Sequence, residues 1–432
     1  MRKRIQGTEH EYTMYSKKLA EKGFDPHTLA LDLLHGTDLS LAGEFITNGS
    51  RCYYDVGHFE LSTCEVSNPF DLLLWEKAGE KVVDWLRRET EEKYLSGGER
   101  IWAFKNNTSP DGTSYGSHEN YIVDRSVDFP TKFVKELVPH FSTRFIYAGA
   151  GDILDGKFVL SPMIYLTSSV VSGETMHNTG LINTRDEPHS DRSGWRRLHV
   201  ICGDALMNEV AILLRNFVTT AILQLMEMDK LGDVPRLVSP IEDMWANVEI
   251  TRPDEWKVRL DGGKTISPID IQRYYLAKIE NIVEDDRERK ALSLFEDVLE
   301  GIDSRSSKSL ARRVEWLDRY FAIQEAKETK SGPDVEMMAC KQYSEIGEDR
   351  GIFYKRQRKG LVDRLLKDED ILGAIKEPPR DTRAALRRSI CDRFNIESVD
   401  WATVTVNDGG RRRIDMPDPY MHRLEDLHGT AG

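Results

Sequence analysis

Cysteine is scarce in this sequence. The 432 residues include five cysteines, and no two of them form a Cys-x-x-Cys pair. A dense, even-numbered set of cysteines would instead predict a disulfide framework and an oxidising compartment. We therefore expect a reduced protein without disulfides, located in the cytoplasm. The cysteines are Cys52, Cys64, Cys202, Cys340 and Cys391.

Long apolar runs and an excess of positive charge are also missing. No uninterrupted apolar run reaches the roughly 18 residues that predict a transmembrane helix. The basic start of the chain, residues 1–5, continues into a polar segment and not into the apolar core of a signal peptide. The formal net charge is −13, which disfavours binding to nucleic acid or to an anionic membrane. We expect neither as a partner.

A phosphate-binding loop is missing as well. Residues 151–157 have the glycine and lysine spacing of such a loop, but two aspartates stand where phosphate would lie. Phe158 replaces the serine or threonine that would bind Mg²⁺, so we predict a hairpin turn here. A second candidate, residues 262–265, lacks the first glycine of the pattern. If the protein binds a nucleotide, it does so on a sheet.

The first 120 residues are rich in carboxylates within short, polar, strand-like segments. Side chains two apart on a strand point the same way, so Glu9 and Glu11 share a face. Crowded carboxylates repel unless a cation lies between them, and hard oxygen ligands suit Mg²⁺. The alternative is an ordinary exposed strand face. The six acids are Glu9, Glu11, Asp55, Glu60, Glu65 and Glu119.

Several other residues are candidates for a catalytic site. Asp55 follows Tyr53 and Tyr54, whose bulk would partly desolvate it and make it a usable base; the alternative is a strand-end aspartate. Arginine matches phosphate oxygens through its planar fork. The alternatives to phosphate binding are an ion pair between Arg185 and Asp186, a core position for the histidine at 199, and an ion pair between Lys105 and Glu119. The candidate phosphate-binding residues are Lys105, Arg185, Arg197 and His199.

The pattern of elements predicts an α+β fold. Strands are expected at 3–12, at 51–56 and in a hairpin of 101–107 with 115–123, and long helices at 69–94 and 208–228. These elements lack a regular βαβ rhythm, which favours an antiparallel sheet with helices on one side. The polar segment 329–336 is the best linker. It divides the chain into a large domain, residues 1–335, and a small C-terminal α/β domain, residues 336–432.

Several of these segments together resemble the family of Pup ligases and depupylases, which is akin to glutamine synthetase and other carboxylate–amine ligases. The resemblance covers nearly the whole chain, and the motifs are highly specific in combination. It rests on Gly-Thr-Glu-His-Glu-Tyr at 7–12 and on residues 47–51, 54–55, 105–108, 114–121, 183–189, 196–201 and 203–204.

The resemblance implies a glutamine-synthetase-like antiparallel sheet cradle that binds ATP and Mg²⁺, with residues 1–335 as the catalytic domain. Asp55 would match the essential aspartate of the family. Arg197 and His199 would fall in the nucleotide-phosphate region, to which we add Lys105 and Arg185. The implied metal ligands are Glu9, Glu60 and Glu65, with Glu11 nearby.

The two branches of the family run opposite reactions. The ligase phosphorylates the γ-carboxylate of the C-terminal glutamate of a small protein tag, and a substrate lysine then displaces phosphate. The depupylase hydrolyses the C-terminal amide or the isopeptide bond of the tag. Only 35 residues, 13–47, separate the first strand from the Asn-Gly turn, as in the ligase. Residues 68–80 and 342–344 are more similar to the depupylase.

We therefore expect an ATP- and Mg²⁺-dependent ligase whose partners are a small Pup-like tag and lysine-bearing proteins. The main alternative is a depupylase. A small-molecule carboxylate–amine ligase and a non-enzymatic scaffold are further alternatives. His58-Phe59-Glu60 replaces the usual His-Pro-Glu of the family, and Ser117 replaces a common cysteine, which leaves the identity of the tag open.

Overall fold

The computed structural model describes residues 1–175, 178–304 and 307–429. Its main feature is a ten-stranded sheet in the order β10-β11-β12-β7-β1-β5-β4-β3-β2, with β6 paired to the end of β1. Three smaller sheets are formed by β8–β9, β13–β14 and β15–β17. The strands of all four sheets are β1 (Gln6–Tyr15), β2 (Ser40–Ala42), β3 (Phe45–Ile46), β4 (Arg51–Asp55), β5 (His58–Ser62), β6 (Trp102–Phe104), β7 (Ser117–Asp124), β8 (Asp152–Leu154), β9 (Lys157–Val159), β10 (Ser169–Ser172), β11 (Gly180–Asn183), β12 (Trp195–Val200), β13 (Val258–Arg259), β14 (Thr265–Ile266), β15 (Ile396–Val399), β16 (Thr403–Asn407) and β17 (Arg411–Asp415).

Helices cover the back of this sheet and build the rest of the large domain, and the last of them belongs to a small C-terminal unit. They are α1 (Lys17–Glu21), α2 (Pro26–His35), α3 (Pro69–Tyr94), α4 (Thr131–Phe141), α5 (Phe145–Ala148), α6 (Pro162–Leu166), α7 (Glu209–Glu227), α8 (Pro240–Val248), α9 (Pro268–Ile279), α10 (Asp286–Asp303), α11 (Ser307–Ala311), α12 (Glu315–Thr329), α13 (Val335–Tyr343), α14 (Ile352–Arg358), α15 (Asp368–Lys376) and α16 (Arg383–Cys391), with 3₁₀ turns at Pro253–Glu255 and Leu424–Gly429.

The two long helices begin where the sequence predicts. Asn68 caps α3 by accepting hydrogen bonds from the backbone of Phe70 and Asp71, and Pro69 occupies the first turn. Asn208 caps α7 in the same way. By length and composition α7 could cross a membrane, but in this fold it is a fully buried core helix.

Strand β1 separates the core from an open face. Its side chains alternate, so that Thr8, His10, Tyr12 and Met14 are buried at the back while Glu9 and Glu11 lie at the front. The neighbouring strands are antiparallel to β1, as predicted, and β10–β11 is a parallel pair. The predicted antiparallel cradle with helices is confirmed.

A network of buried charges lies between β1 and α3. The Lys105 ammonium is fully buried and contacts Glu76 at 2.8 Å and Glu80 at 2.9 Å. Glu76 also accepts a hydrogen bond from Arg215 at 2.9 Å and lies 3.1 Å from the His10 ring. Burial and the Lys105 charge lower the pKa of His10 to about 4, so this ring is neutral at physiological pH.

Two local predictions have different outcomes. The turn predicted at 109–112 is found: Thr108 bridges Ser114, and the backbone N–H of Tyr115 donates to the carbonyl of Asn107 at 2.8 Å. Beyond these first pairs the two segments separate, because β6 and β7 each pair with β1, at different positions along it. The predicted hairpin is therefore confirmed at its turn but not along its strands. The hairpin predicted at 151–157 is found as β8–β9, with Asp155 and Gly156 at positive φ in its turn.

The C-terminal unit begins later than the predicted boundary at 335/336. Helices α12 and α13 pack against each other, so the polar segment between them is a tight connection and not an interdomain linker. Tyr343, Phe353 and Val362 belong to a core cluster shared with β1 and α3. A separate small core forms only from α16 onward, around β15–β17; it contains Leu386, Ile390, Val404, Val406, Ile414, Met416 and Met421.

The buried network predicts a large stability effect at Lys105. Replacing Lys105→Met leaves Glu76 and Glu80 with one cation fewer in the core, and removing one partner of a buried ion pair costs about 3–5 kcal/mol. We expect the free energy of unfolding in urea to fall by that amount. Lys18→Met is the control, because Lys18 is half-exposed and only loosely paired with Glu21 and Glu99. An equal loss in both variants would contradict the structural role of Lys105.

Candidate active site

The front of the sheet forms one side of a cleft of about 1,070 Å³. Strands β1, β4, β5, β7 and β12 bring their front-facing side chains to it, and cross-strand pairs such as Glu11–Glu60 and Asn120–His199 fix the arrangement. We call this the front cleft. Its polar lining includes Glu9, Glu11, Asp55, His58, Glu60, His118, Arg185, Arg197 and His199.

Three of the four predicted metal ligands meet in the front cleft. Glu9 accepts a hydrogen bond from Asn120 at 3.1 Å and Glu11 lies 2.5 Å from His58. Glu60 accepts a hydrogen bond from the hydroxyl of Tyr53. Burial, together with the charge of Glu9, raises the pKa of Glu60 to about 8. The protein itself therefore does not neutralise all three carboxylates, which is the electrostatic condition for a cation site.

Two histidines extend this acidic group. One ligand atom each of Glu9, His118 and His199 lies within 4.8 Å of the other two. His199 is buried, and neither of its ring nitrogens has a hydrogen-bond partner in the part of the chain that the structure describes. Burial and the charge of His118 lower the pKa of His199 to about 3, so its ring is neutral and can offer a nitrogen lone pair to a cation. This is not the satisfied core histidine of the alternative interpretation.

Arginines face the acids across the cleft. Arg197 donates to Asn120 at 3.3 Å and pairs with Glu187 at 3.2 Å. Arg185 is exposed and forms no ion pair within the described ranges. The alternative Arg185–Asp186 pair is not found, because Asp186 pairs with Arg125 at 2.6 Å. Arg185 and Arg197 are therefore placed to receive an anionic ligand.

Asp55 lies at the open end of the front cleft. It is the last residue of β4, opposite His58, and the tight turn that follows places Val56 and Gly57 at positive φ. Asp55 is exposed, so the burial that its tyrosine neighbours predict is not found. The side chain is accessible both to the cleft and to a large partner in solution.

Lys105 is not in the front cleft, and its predicted contact with phosphate is wrong. Alternation along the strand directs it to the back of the sheet, where it pairs with Glu76 and Glu80 and not with Glu119. Glu119 is also at the back, paired with Arg144 at 2.6 Å.

Glu65 is likewise outside the front cleft. Its carboxylate is bound by Arg383 and Arg387, both at 2.7 Å, so no free oxygen is left for a cation. Burial opposes its ionisation, but these arginines lower its pKa to about 2. The expected metal-binding role of Glu65 does not fit the structure.

A second pocket adjoins the front cleft, and nothing in the sequence pattern predicts it. This side pocket shares Glu9, Glu187 and Arg197 with the cleft and continues between the sheet and the C-terminal unit. Its far wall contains Thr63, His189, Arg383 and Trp401. Trp401 is some 340 residues from β5, so no local pattern connects them. Trp401 itself, shortly before the last two strands, is the sequence feature that could have indicated this pocket.

The site combines acids that can hold a cation, arginines that can hold phosphate and an exposed aspartate that can take a proton. On a glutamine-synthetase-like sheet, these features define a carboxylate–amine ligase. The Pup-ligase protein family matches residues 2–405. The chain belongs to this family.

Relatives from both branches are similar over most of their length. The Pup–protein ligase of Kribbella flavida is 32% identical over 453 residues, covering 99% of each chain. The depupylase of Acidothermus cellulolyticus is 32% identical over 431 residues, covering 96% of this chain and 83% of its own.

Solved structures agree with this assignment. The crystal structure of the complex between the prokaryotic ubiquitin-like protein Pup and its ligase PafA has a TM-score of 0.87 at 28% identity, covering 99% of this chain and 91% of that one. The structure of PafA in complex with ADP has a TM-score of 0.79 at 28% identity, covering 95% and 92%.

Proposed function

We propose that this protein is an ATP-dependent ligase that joins the C-terminal glutamate of a Pup-like tag to lysines of other proteins. The γ-carboxylate oxygen of that glutamate attacks the γ-phosphorus of ATP, and ADP leaves. The lysine nitrogen then attacks the acyl carbon, and phosphate leaves as the isopeptide bond forms. The observation that carries this proposal is the front cleft, where three acids face two arginines and an exposed aspartate stands at the mouth.

Mg²⁺ fits the acidic side of the cleft. Glu9, Glu11 and Glu60 supply hard oxygen donors, and the repulsion that raises the pKa of Glu60 would be relieved by a cation. His118 and His199 extend the donor set beside Glu9. A bound metal would neutralise charge on the transferring phosphoryl group. The protein's own contribution is to hold the acids in register across β1 and β5.

The nucleotide would span both pockets. Arg185 and Arg197 lie where the phosphates would meet the acids, and guanidinium groups bind phosphate oxygens through parallel hydrogen bonds. The side pocket begins at Arg197 and ends at Trp401, whose ring offers an aromatic wall for the adenine base of the nucleotide. The related PafA is known in complex with ADP, which supports a nucleotide as the ligand of this site.

Asp55 is the group proposed to take the proton from the attacking lysine. A base has to lie within hydrogen-bond reach of the amine, and the end of β4 is accessible to an amine carried by a folded protein. His58, held by Glu11, stands opposite Asp55 on β5 and completes the polar mouth of the cleft.

The depupylase is the second candidate function, since a depupylase is as similar in sequence as the ligases. Two observations favour the ligase. The chain covers 99% of the Kribbella ligase but 83% of the depupylase. The connection from β1 to the Asn48-Gly49 turn is short, as the resemblance implies for the ligase, and contains two small helices and two short strands.

We also propose that the protein acts in the cytoplasm, because its described cysteines are all free.

An activity assay separates the two functions. We expect enzyme, ATP, Mg²⁺, a Pup-like tag ending in glutamate and a lysine-bearing protein to yield a higher-mass conjugate and ADP. Gel electrophoresis detects the conjugate, and a coupled assay detects ADP. Cleavage of a preformed conjugate without any ligation would instead show the depupylase. ADP formed with free glutamate and a small amine would show a small-molecule ligase.

Removing the proposed base has a defined effect. Asp55→Asn should lower kcat for conjugation by roughly 10²–10⁴-fold, the usual contribution of a general base, with little change in the KM for ATP. Asp124→Asn is the matched control, because Asp124 is also exposed at the end of a strand but does not line the cleft. Unchanged turnover in Asp55→Asn would remove Asp55 from the mechanism.

The cation site is tested through the dependence on Mg²⁺. Glu60→Gln should raise the Mg²⁺ concentration needed for half-maximal activity by at least about tenfold, since even residues that only orient a ligand have effects of this size. Glu242→Gln, on the exposed side of α8, should leave the Mg²⁺ titration unchanged. Identical titrations for Glu60→Gln and the wild type would exclude Glu60 as a ligand.

A further inference from the structure

Glu65 joins the sheet to the C-terminal unit. Its carboxylate is about nine-tenths buried and is bound by Arg383 through Nε and by Arg387 through Nη2, both at 2.7 Å. Arg387 Nη1 makes a third contact at 3.2 Å. Both arginines lie on α16, one turn apart. A single acid beyond the end of β5 therefore anchors one face of that helix.

The two arginines also donate hydrogen bonds to the backbone of other segments. Arg387 donates to the carbonyl of Trp401 at 2.8 Å and to the carbonyl of Gly49 at 3.2 Å. Arg383 donates to the carbonyl of Met416 at 3.2 Å and to that of His189. Each guanidinium thus connects Glu65 to two backbone carbonyls of other segments.

The Trp401 ring is fixed by the same group. Its centroid lies 5.1 Å from that of Phe45 in an edge-to-face arrangement. The guanidinium of Arg387 lies over both rings, 4.8 Å from the Phe45 centroid and 5.3 Å from the Trp401 centroid. Such contacts orient an aromatic ring as well as stabilise it. If Arg387 moves, both the backbone and the ring of Trp401 lose a support.

We infer that Glu65 is a positioning residue for the nucleotide: it holds Arg383 and Arg387, and through them sets His189 and Trp401 as the far wall of the side pocket. This inference rests on the proposed nucleotide site. It assigns to the C-terminal unit the task of closing that site, and it replaces the metal-binding role that the family resemblance implied for Glu65.

Glu65→Gln tests the inference. The amide keeps the size of the side chain but cannot neutralise two buried guanidinium groups, so Arg387 and Trp401 should lose their fixed positions. We expect the Kd for ADP and the KM for ATP to rise roughly tenfold to a hundredfold, the size of effect seen when a residue that orients a ligand-binding group is removed. At saturating ATP, kcat and the Mg²⁺ concentration for half-maximal activity should stay close to wild type.

A double-mutant cycle identifies the route of the effect. If Glu65 acts through Trp401, Glu65→Gln should weaken ADP binding much less in a Trp401→Ala background than in the wild type. Full additivity of the two effects would overturn the inference. A shifted Mg²⁺ titration in Glu65→Gln would overturn it too, and would restore the metal-ligand interpretation.

Two further variants separate positioning from loss of stability. Asp243→Asn is the matched control, because Asp243 is also buried and pairs with Arg259 at 2.7 Å but does not line either pocket. It should unfold more easily without a change in ADP affinity. Arg387→Lys keeps the charge but cannot reach Glu65, Trp401 and Gly49 together, so it should raise the Kd for ADP even if Glu65→Gln does not fold. ADP affinity equal to wild type in Arg387→Lys would contradict the inference.

Calorimetry with ADP and Mg²⁺ distinguishes the two possible failures. Wild-type protein that binds no ADP would refute the proposed function itself. Wild-type protein that binds ADP, with Glu65→Gln binding it equally well, would refute only the role of Glu65.

Discussion

The carboxylates of Glu9, Glu11 and Glu60 are held within one group on the front of a rigid sheet, and their mutual repulsion determines what the site can bind. The cross-strand pairing of β1 with β5 prevents them from moving apart. His118 and His58 relieve part of the repulsion, but Glu60 remains difficult to ionise. Because backbone pairing fixes the geometry, the repulsion is relieved either by a proton on Glu60 or by a bound cation, and the proposed Mg²⁺ with its phosphates would take the place of that proton.

This front face depends on a second set of charges behind it. His10 lies between Glu9 and Glu11 in sequence but points into the core, where Glu76 and Ser117 hold its ring. Lys105 and Arg215 neutralise Glu76 from the sides. A buried ionic network is costly to assemble, but once assembled it tolerates few alternative registers. The position of the acids on β1 is therefore fixed from the back of the strand as much as by its neighbours.

Much of this could be predicted from local pattern. The Glu9-x-Glu11 spacing placed both acids on one face, and Asn68-Pro69 placed the start of α3 at the right residue. Lys105 and Glu65 could not be placed in this way. Lys105 directly follows β6, and the direction of its side chain depends on which side of that strand faces α3. Glu65 lies just beyond β5, and its partners Arg383 and Arg387 are more than 300 residues away. Both cases turn on long-range pairing, which a single sequence does not contain.

The exposure of Asp55 bears on the choice among carboxylate–amine ligases. An enzyme that joins free glutamate to a small amine gains by enclosing its base, because exclusion of water protects the acyl phosphate from hydrolysis. Here the proposed base, Asp55, stands at the rim, next to Val56, which is 71% exposed. A lysine on a folded protein can reach such a base only if the rim is open, since the protein itself cannot enter the cleft. The protein substrate would then exclude water as it docks, so the open mouth favours a macromolecular acceptor over a small amine.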